Sequence, residues 1–194
     1  MHTSASRATV TPSLRLTSLV PRLKDRPRTA VVAATAVVAV VVCFLRFGAD
    51  VRGLLAAGFV AVLVVLAAID LDEHRLPNRI VLPSAAIALV IQTVDSPQKA
   101  PEWILASLGA AAALLTLALA YPAGLGFGDV KLGLLLGAVL GASVVPALLI
   151  AFLSVFPVAV YLLARHGLSA RRTAIPFGPF LAFGAVVVLF ATVT

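Results

Sequence analysis

The chain has 194 residues, of which 61% are hydrophobic and 12% are charged, and its formal net charge is +7. A soluble domain is about half apolar and about a quarter charged, so this composition excludes an ordinary soluble protein and indicates a membrane protein. Basic residues are enriched in the cytoplasmic loops of membrane proteins, which explains the positive charge without nucleic acid as a partner. We therefore predict contact with a lipid bilayer and no nucleic-acid binding.

The first segment, residues 1–28, is rich in Ser, Thr, Arg and Pro and has no apolar period, which is typical of a disordered basic tail. The apolar run Thr29 to Leu45 follows, and we interpret it as a retained membrane helix rather than a cleaved signal peptide. It contains the single cysteine, Cys43, so the chain can form neither an internal disulfide nor a four-cysteine zinc site. Residues 29–52 are predicted to be an extra helix with its outer loop, and residues 53–194 the core.

Five further uncharged runs follow along the chain, and a helix of about 20 mostly apolar residues can span a bilayer. The run from Leu132 to Ala164 has 33 residues, which is enough for two spans with a break near Gly141 to Pro146. The runs are continuous in Ala, Val and Leu, whereas a membrane barrel requires alternation. We predict an all-α, polytopic membrane bundle of about seven transmembrane helices, six in the core and one at the N-terminus. The other four runs are Gly53 to Ile69, Ile80 to Val94, Trp103 to Gly128 and Thr173 to Thr194.

The topology follows from the basic residues. If the N-terminus is cytoplasmic, twelve of the fifteen Lys and Arg residues fall in cytoplasmic segments, and only Arg46, Arg52 and Lys99 lie outside. This distribution predicts a multi-pass protein of the inner (cytoplasmic) membrane with a cytoplasmic N-terminus and an outside C-terminus. Asp70 and Asp129 then both lie at the cytoplasmic face.

Asp70 directly follows an apolar span, so it is predicted to lie at the C-terminal end of that helix. A carboxylate is unfavourable at this end of the helix dipole, which suggests a role other than helix stability. A plainer interpretation is a boundary charge paired with Arg75 or Arg79. The nearby Asp72 and Glu73 are expected to be solvated loop charges, although they could attract a basic peptide.

Asp129 follows three alternating glycines, Gly124, Gly126 and Gly128. Glycines let backbone, and a substrate strand, approach closely beside a carboxylate. The plainer interpretation is that Asp129 is the N-cap of a helix that begins near Val130. A phosphate-binding loop is not indicated, because no Gly-Lys-Ser/Thr ending follows the glycines.

The two aspartates have 58 residues and two predicted spans between them, which returns both to the same side of the membrane. Paired carboxylates can activate water and protonate a leaving amine. The alternative is a small proton- or cation-coupled transporter or scaffold that uses a buried aspartate. In that case Asp70 need not approach Asp129.

Three segments, in this order along the chain, resemble the signature motifs of the type IV prepilin peptidases, which are GxGD intramembrane aspartyl proteases: Ile69-Asp70 through Leu76-Pro77-Asn78, Gly124 through Leu132, and Ile175 through Ala182. The resemblance implies an endopeptidase that cleaves the short basic leader from prepilin-like or pseudopilin proteins at the cytoplasmic membrane face. By it, Asp70 and Asp129 are the catalytic residues, and the motif-supporting residues are Gly126, Gly128, Lys131, Pro77 and Asn78.

The resemblance implies no metal and no cofactor for the peptidase reaction. Larger members of the family carry an N-terminal domain with zinc-binding cysteines and also methylate the new N-terminus of the pilin. Because this sequence has one cysteine, we expect a short peptidase-only form without N-methyltransferase activity. Such short members process small pilins of the Flp or Tad type. The resemblance assigns no role to His74.

Overall fold

The computed structural model describes residues 26–74, 76–121, 125–166 and 176–192. Within these residues it contains seven α-helices and no strand, which confirms the predicted all-α class. Two short 3-10 turns, Pro97–Lys99 and Gly141–Ser143, precede α4 and α6. The helices are α1 (Arg26–Phe47), α2 (Val51–Glu73), α3 (Asn78–Asp95), α4 (Ala100–Ala120), α5 (Phe127–Leu140), α6 (Val144–His166) and α7 (Gly178–Ala191).

Among the residues that the structure describes, four helical stretches are long and apolar enough to cross a membrane, whereas the sequence predicts seven spans. These stretches are Thr29–Phe47, Val51–Glu73, Pro97–Ala120 and Phe127–Tyr161. The last of these contains both α5 and α6. The other two helices, α3 and α7, are not long or apolar enough to count as spans, for different reasons. α3 carries polar residues at both ends, and α7 is apolar but has 14 residues, or about 21 Å at 1.5 Å per residue.

The long run after Leu132 is divided where the sequence predicts a break. α5 ends at Leu140, Gly141 has a φ of +57° that a residue with a side chain rarely adopts, and α6 begins at Val144. Gly141 also lies against the indole of Trp103, so the turn packs on the start of α4. The prediction of two helices in this run is confirmed.

α1 begins at Arg26, slightly before the predicted end of the tail. The prediction of a disordered tail covers residues 1–28, of which residues 1–25 lie outside the described residues and residues 26–28 begin α1. α1 packs against α2 and buries Cys43, while most of its described side chains are exposed.

α5 is central to the bundle and contacts α3, α4 and α7. Gly137 lies so close to the backbone of α4 at Ser107 that no side chain would fit there. The Ser107 hydroxyl donates a 2.7 Å hydrogen bond to the carbonyl of Leu134, and the Gln92 side chain of α3 donates to the carbonyl of Ala138. α7 packs between α6 and α2 and closes the bundle.

Cross-helix contacts define two ends of the bundle. At one, which we call the aspartate end, the end of α2 meets the start of α7, and the start of α3 meets the start of α5. At the opposite end, the ends of α1, α3, α5 and α7 meet the starts of α2 and α4. The three segments that carry motifs therefore converge at the aspartate end.

Candidate active site

Asp70 lies in the last turn of α2 and is buried, with 5% of its surface exposed. Its carboxylate oxygen Oδ2 accepts a 2.9 Å hydrogen bond from the backbone N–H of Gly178, the first residue of α7. Asp70 is thus at the unfavourable end of its own helix but at the favourable end of another, where free N–H groups and the helix dipole stabilise an anion. This contact compensates for its position on α2.

α2 ends just beyond Asp70, at Glu73, and its C-cap is His74. His74 has a φ of 51°, in the left-handed region, and its backbone N–H donates to the carbonyl of Asp70 at 2.9 Å. This left-handed cap turns the chain back toward the bundle. It returns Leu76, which is buried, to the aspartate end.

Asp129 is also buried, with 7% of its surface exposed. The interpretation of Asp129 as an N-cap is wrong, because α5 begins at Phe127 and its cap is Gly126 in an extended conformation. Asp129 is instead the third helical residue, and its Oδ2 accepts a 3.1 Å hydrogen bond from the N–H of Gly126. A carboxylate at this position reaches back to the cap as in a capping box.

The two carboxylates are held in the same way. Each has Oδ2 fixed by a glycine N–H at the start of a helix, and the described residues donate no hydrogen bond to either Oδ1. The charges of Asp70 and Asp129 are close enough to interact. The arrangement therefore presents two buried, oriented carboxyl groups, each with one oxygen left for water or substrate.

Two further contacts join the first motif to the second. Gly128 lies against Leu76, and a Cβ added to Gly128 would be 3.1 Å from the Leu76 Cβ. The Lys131 ammonium donates a 2.7 Å hydrogen bond to Oδ1 of Asn78, the first residue of α3. Pro77 precedes Asn78 as the extended N-cap of α3. All five predicted motif-supporting residues therefore lie at the aspartate end.

The plainer interpretation of Asp70 is a boundary charge paired with Arg75 or Arg79. Arg79 is exposed, and its side chain forms no ion pair with Asp70 in the described part of the chain. Arg75 lies outside the described residues, as does Gly124 of the second motif. Asp72, Glu73 and His74 are exposed beside Asp70. Among the described residues, no three His, Cys, Asp or Glu side chains are grouped as metal ligands.

Gly178 is the site residue to which the sequence analysis assigns no role. A Cβ there would lie 2.7 Å from Oδ2 of Asp70, so the position has no room for a side chain. The signal is the third motif, which contains Gly178 between Phe177 and Pro179. The N–H donor to Asp70 comes from 108 residues away, and no local pattern predicts that pairing.

Comparison with known proteins assigns the family. Residues 57–163 match the type IV leader peptidase family, and since this is more than half of the chain, the chain belongs to that family. The match contains Asp70, Asp129 and the first two motifs, whereas Gly178 and the third motif follow its end.

The chain is also similar to curated proteins named prepilin leader peptidase/N-methyltransferase. It is 35% identical to the one from Bacillus subtilis (strain 168) over 73% of this chain and 57% of that protein. The corresponding values are 36%, 75% and 52% for Pseudomonas putida, and 34%, 75% and 52% for Legionella pneumophila. The chain thus spans about half the length of the curated relatives it matches. No solved structure matches it.

Proposed function

We propose that this chain is an aspartic endopeptidase that removes the leader from prepilin-like or pseudopilin proteins, with Asp70 and Asp129 as its catalytic pair. The observation that carries the proposal is the matched geometry of these two carboxylates. Both are buried at one end of the bundle, both are fixed through Oδ2 by a glycine N–H, and their charges interact. Family membership supplies the substrate class.

The pair supports hydrolysis by general acid and base catalysis. Two neighbouring carboxyl groups share one proton, since both cannot ionise cheaply in a buried site. The ionised carboxylate accepts a proton from water as the water oxygen attacks the scissile carbonyl carbon. The protonated partner stabilises the developing oxyanion and then donates its proton to the leaving amine. No metal or cofactor enters this scheme.

The transporter alternative is less well supported. A proton- or cation-coupled carrier needs one buried aspartate and has no need for Asp70 to approach Asp129. Here the two carboxylates interact, and three motifs distant in sequence contribute to holding them. This convergence suits a bifunctional acid and base better than a single ion carrier.

The proposed cleavage takes place at the cytoplasmic face of the inner membrane. The support is the excess of Lys and Arg in the segments on the side of the two aspartates. On this side a short basic leader is accessible, while the apolar helix that follows it stays in the bilayer. A pilin of the Flp or Tad type is the proposed substrate, and cleavage without methylation is the proposed outcome.

The decisive experiment is co-expression with candidate prepilins from the same genome, followed by N-terminal sequencing and mass measurement of the product. We expect one new N-terminus next to the apolar segment, without an added methyl group. A methylated product would contradict the peptidase-only proposal and leave the cleavage intact. Full-length pilin in every co-expression, with the chain present in the membrane, would contradict the proposed function.

A further inference from the structure

A charged cavity of about 410 Å³ lies at the opposite end of the bundle from the two aspartates. Its walls are the ends of α1, α3, α5 and α7 and the starts of α2 and α4. Buried Ala56 and Leu189 form its inner part, beside the half-buried Leu55 and Val139. Charged residues line its exposed part: Arg46, Asp50, Arg52, Asp95 and Lys99.

This cavity collects the three basic residues that the predicted topology leaves on the outer side, Arg46, Arg52 and Lys99. They come from the end of α1, the start of α2 and the turn before α4. The side chains of Arg52 and Lys99 are exposed, so burial does not account for their position at this cavity. The basic side chains of this cavity outnumber the acidic ones, three to two, so its net charge is positive and favours an anion.

The two acidic residues of the cavity already have local partners. Asp50 is the N-cap of α2, where its Oδ1 accepts a 2.9 Å hydrogen bond from the N–H of Gly53. Asp95 accepts a 3.2 Å hydrogen bond from the hydroxyl of Ser96. The side chains of Arg52 and Lys99, in contrast, make no hydrogen bond or ion pair with the described residues. Their donors are therefore available to a ligand.

We propose that this cavity binds the phosphate of a phospholipid headgroup. The planar fork of an arginine matches two phosphate oxygens, and a lysine adds a point charge. The helix ends that form the cavity lie at the level of lipid headgroups in a membrane-spanning bundle. Trp103, which also lines the cavity, is a residue type that favours this interface.

A lipid suits the cavity better than a free phosphate ion because one wall is continuous with the lipid-facing surface. The end of α1 forms that wall, and its apolar side chains are exposed there, with Leu45 82% exposed and Val42 43% exposed. Acyl chains can cover these side chains while the headgroup occupies the cavity. A phosphate bridging Arg52 and Lys99 would link the α1–α2 connection to the turn before α4 and stabilise the folded bundle.

The test uses the full chain in detergent micelles and follows the midpoint of thermal unfolding. The probes are dioleoylphosphatidylglycerol, dioleoylglycerol, which lacks the phosphate, and inorganic phosphate. The variants are Arg52→Gln with Lys99→Gln and, as a matched loss of two charges elsewhere, Arg79→Gln with Arg165→Gln. Phosphatidylglycerol is expected to raise the midpoint of the wild type and of the control by about 3 °C or more.

The Arg52/Lys99 double variant is expected to need about tenfold more phosphatidylglycerol for the same rise. If it does not fold, Lys99→Gln alone, at an exposed position, should still weaken binding. An equal rise in the double variant, or with dioleoylglycerol, overturns the proposal. An equal rise with inorganic phosphate overturns the lipid as the occupant. Since the measurement needs no peptidase substrate, its failure is independent of the proposed function.

Discussion

Asp70 and Asp129 each accept a hydrogen bond from a glycine N–H, but one of the two glycines is close in the sequence and the other is distant. Asp129 lies in the first turn of its own helix and takes its hydrogen bond from Gly126, three residues earlier. Asp70 lies in the last turn of its helix and takes its hydrogen bond from Gly178, which is 108 residues later and begins another helix. The first arrangement is local, whereas the second depends on how α7 packs against α2. A structural change at α7 should therefore affect one carboxylate and spare the other.

The largest expected effect is the loss of cleavage when either carboxyl group is removed, which tests whether both take part in one reaction. Asp70→Asn and Asp129→Asn each retain an oxygen that can accept the glycine N–H but lose the ionisable group. Each variant is expected to reduce leader cleavage by at least about 10²-fold while the protein remains in the membrane. The measurement is cleavage of a co-expressed prepilin, with membrane content by immunoblot. Normal cleavage by either variant would rule out the pair.

The next prediction compares the distant and the local hydrogen bond by adding the same methyl group to each donor glycine. In Gly178→Ala the Cβ would lie 2.7 Å from Oδ2 of Asp70, so the carboxylate or α7 must move. In Gly126→Ala the Cβ would lie 3.6 Å from Oδ2 of Asp129, an ordinary contact, and the backbone at φ −86° and ψ 156° accepts alanine.

We expect cleavage to fall about tenfold or more in Gly178→Ala and to stay within about twofold of the wild type in Gly126→Ala. The readout is the initial rate of cleavage at equal amounts of enzyme. Gly109→Ala is the control, because nothing lies within 4 Å of the added Cβ. Equal losses of cleavage in the two donor variants would show that the two carboxylates do not differ in how closely their glycine donors must fit.

A smaller effect tests what holds the start of α7. The ring of Phe177, the residue before Gly178, is buried and packs on Phe152 of α6 with centroids 5.1 Å apart. Phe152→Leu removes this aromatic contact, worth about 1 kcal/mol, and keeps an apolar side chain. We expect cleavage to fall several-fold and the unfolding midpoint to fall slightly.

Phe156→Leu is the matched control, one turn later on the same helix and 64% exposed. It should leave both measurements unchanged. If Phe152→Leu also leaves cleavage unchanged, the packing of α6 on α7 does not position Gly178. Asp70 would then depend on α2 and α7 alone.

The sequence predicts the surroundings of Asp129, whose hydrogen bond is local, much better than those of Asp70, whose hydrogen bond is distant. The helical class, the break at Gly141 and the placement of both aspartates at one end of the bundle follow from apolar runs, glycine and spacing. The position of Asp129 is predicted to within one turn, with the cap misassigned because Phe127 and Gly128 are already helical. The Gly178 donor could not be predicted, since it depends on tertiary packing between helices far apart in the chain. The shorter span count has a different origin, because α3 carries polar residues at both ends and α7 has 14 residues.

The smallest expected effect concerns the link between the first two motifs. The hydrogen bond from Lys131 to Asn78 joins the start of α5, the helix that carries Asp129, to the start of α3. Because it is exposed, its coupling energy should be about 0.5 kcal/mol, and the variants Lys131→Met and Asn78→Ala should each lower cleavage only a few-fold. A double-mutant cycle on the unfolding midpoint and the cleavage rate measures this coupling. If the single losses multiply in the double variant, the bond does not couple the motifs, and the contact of Leu76 with Gly128 alone connects Asp129 to the loop that follows Asp70.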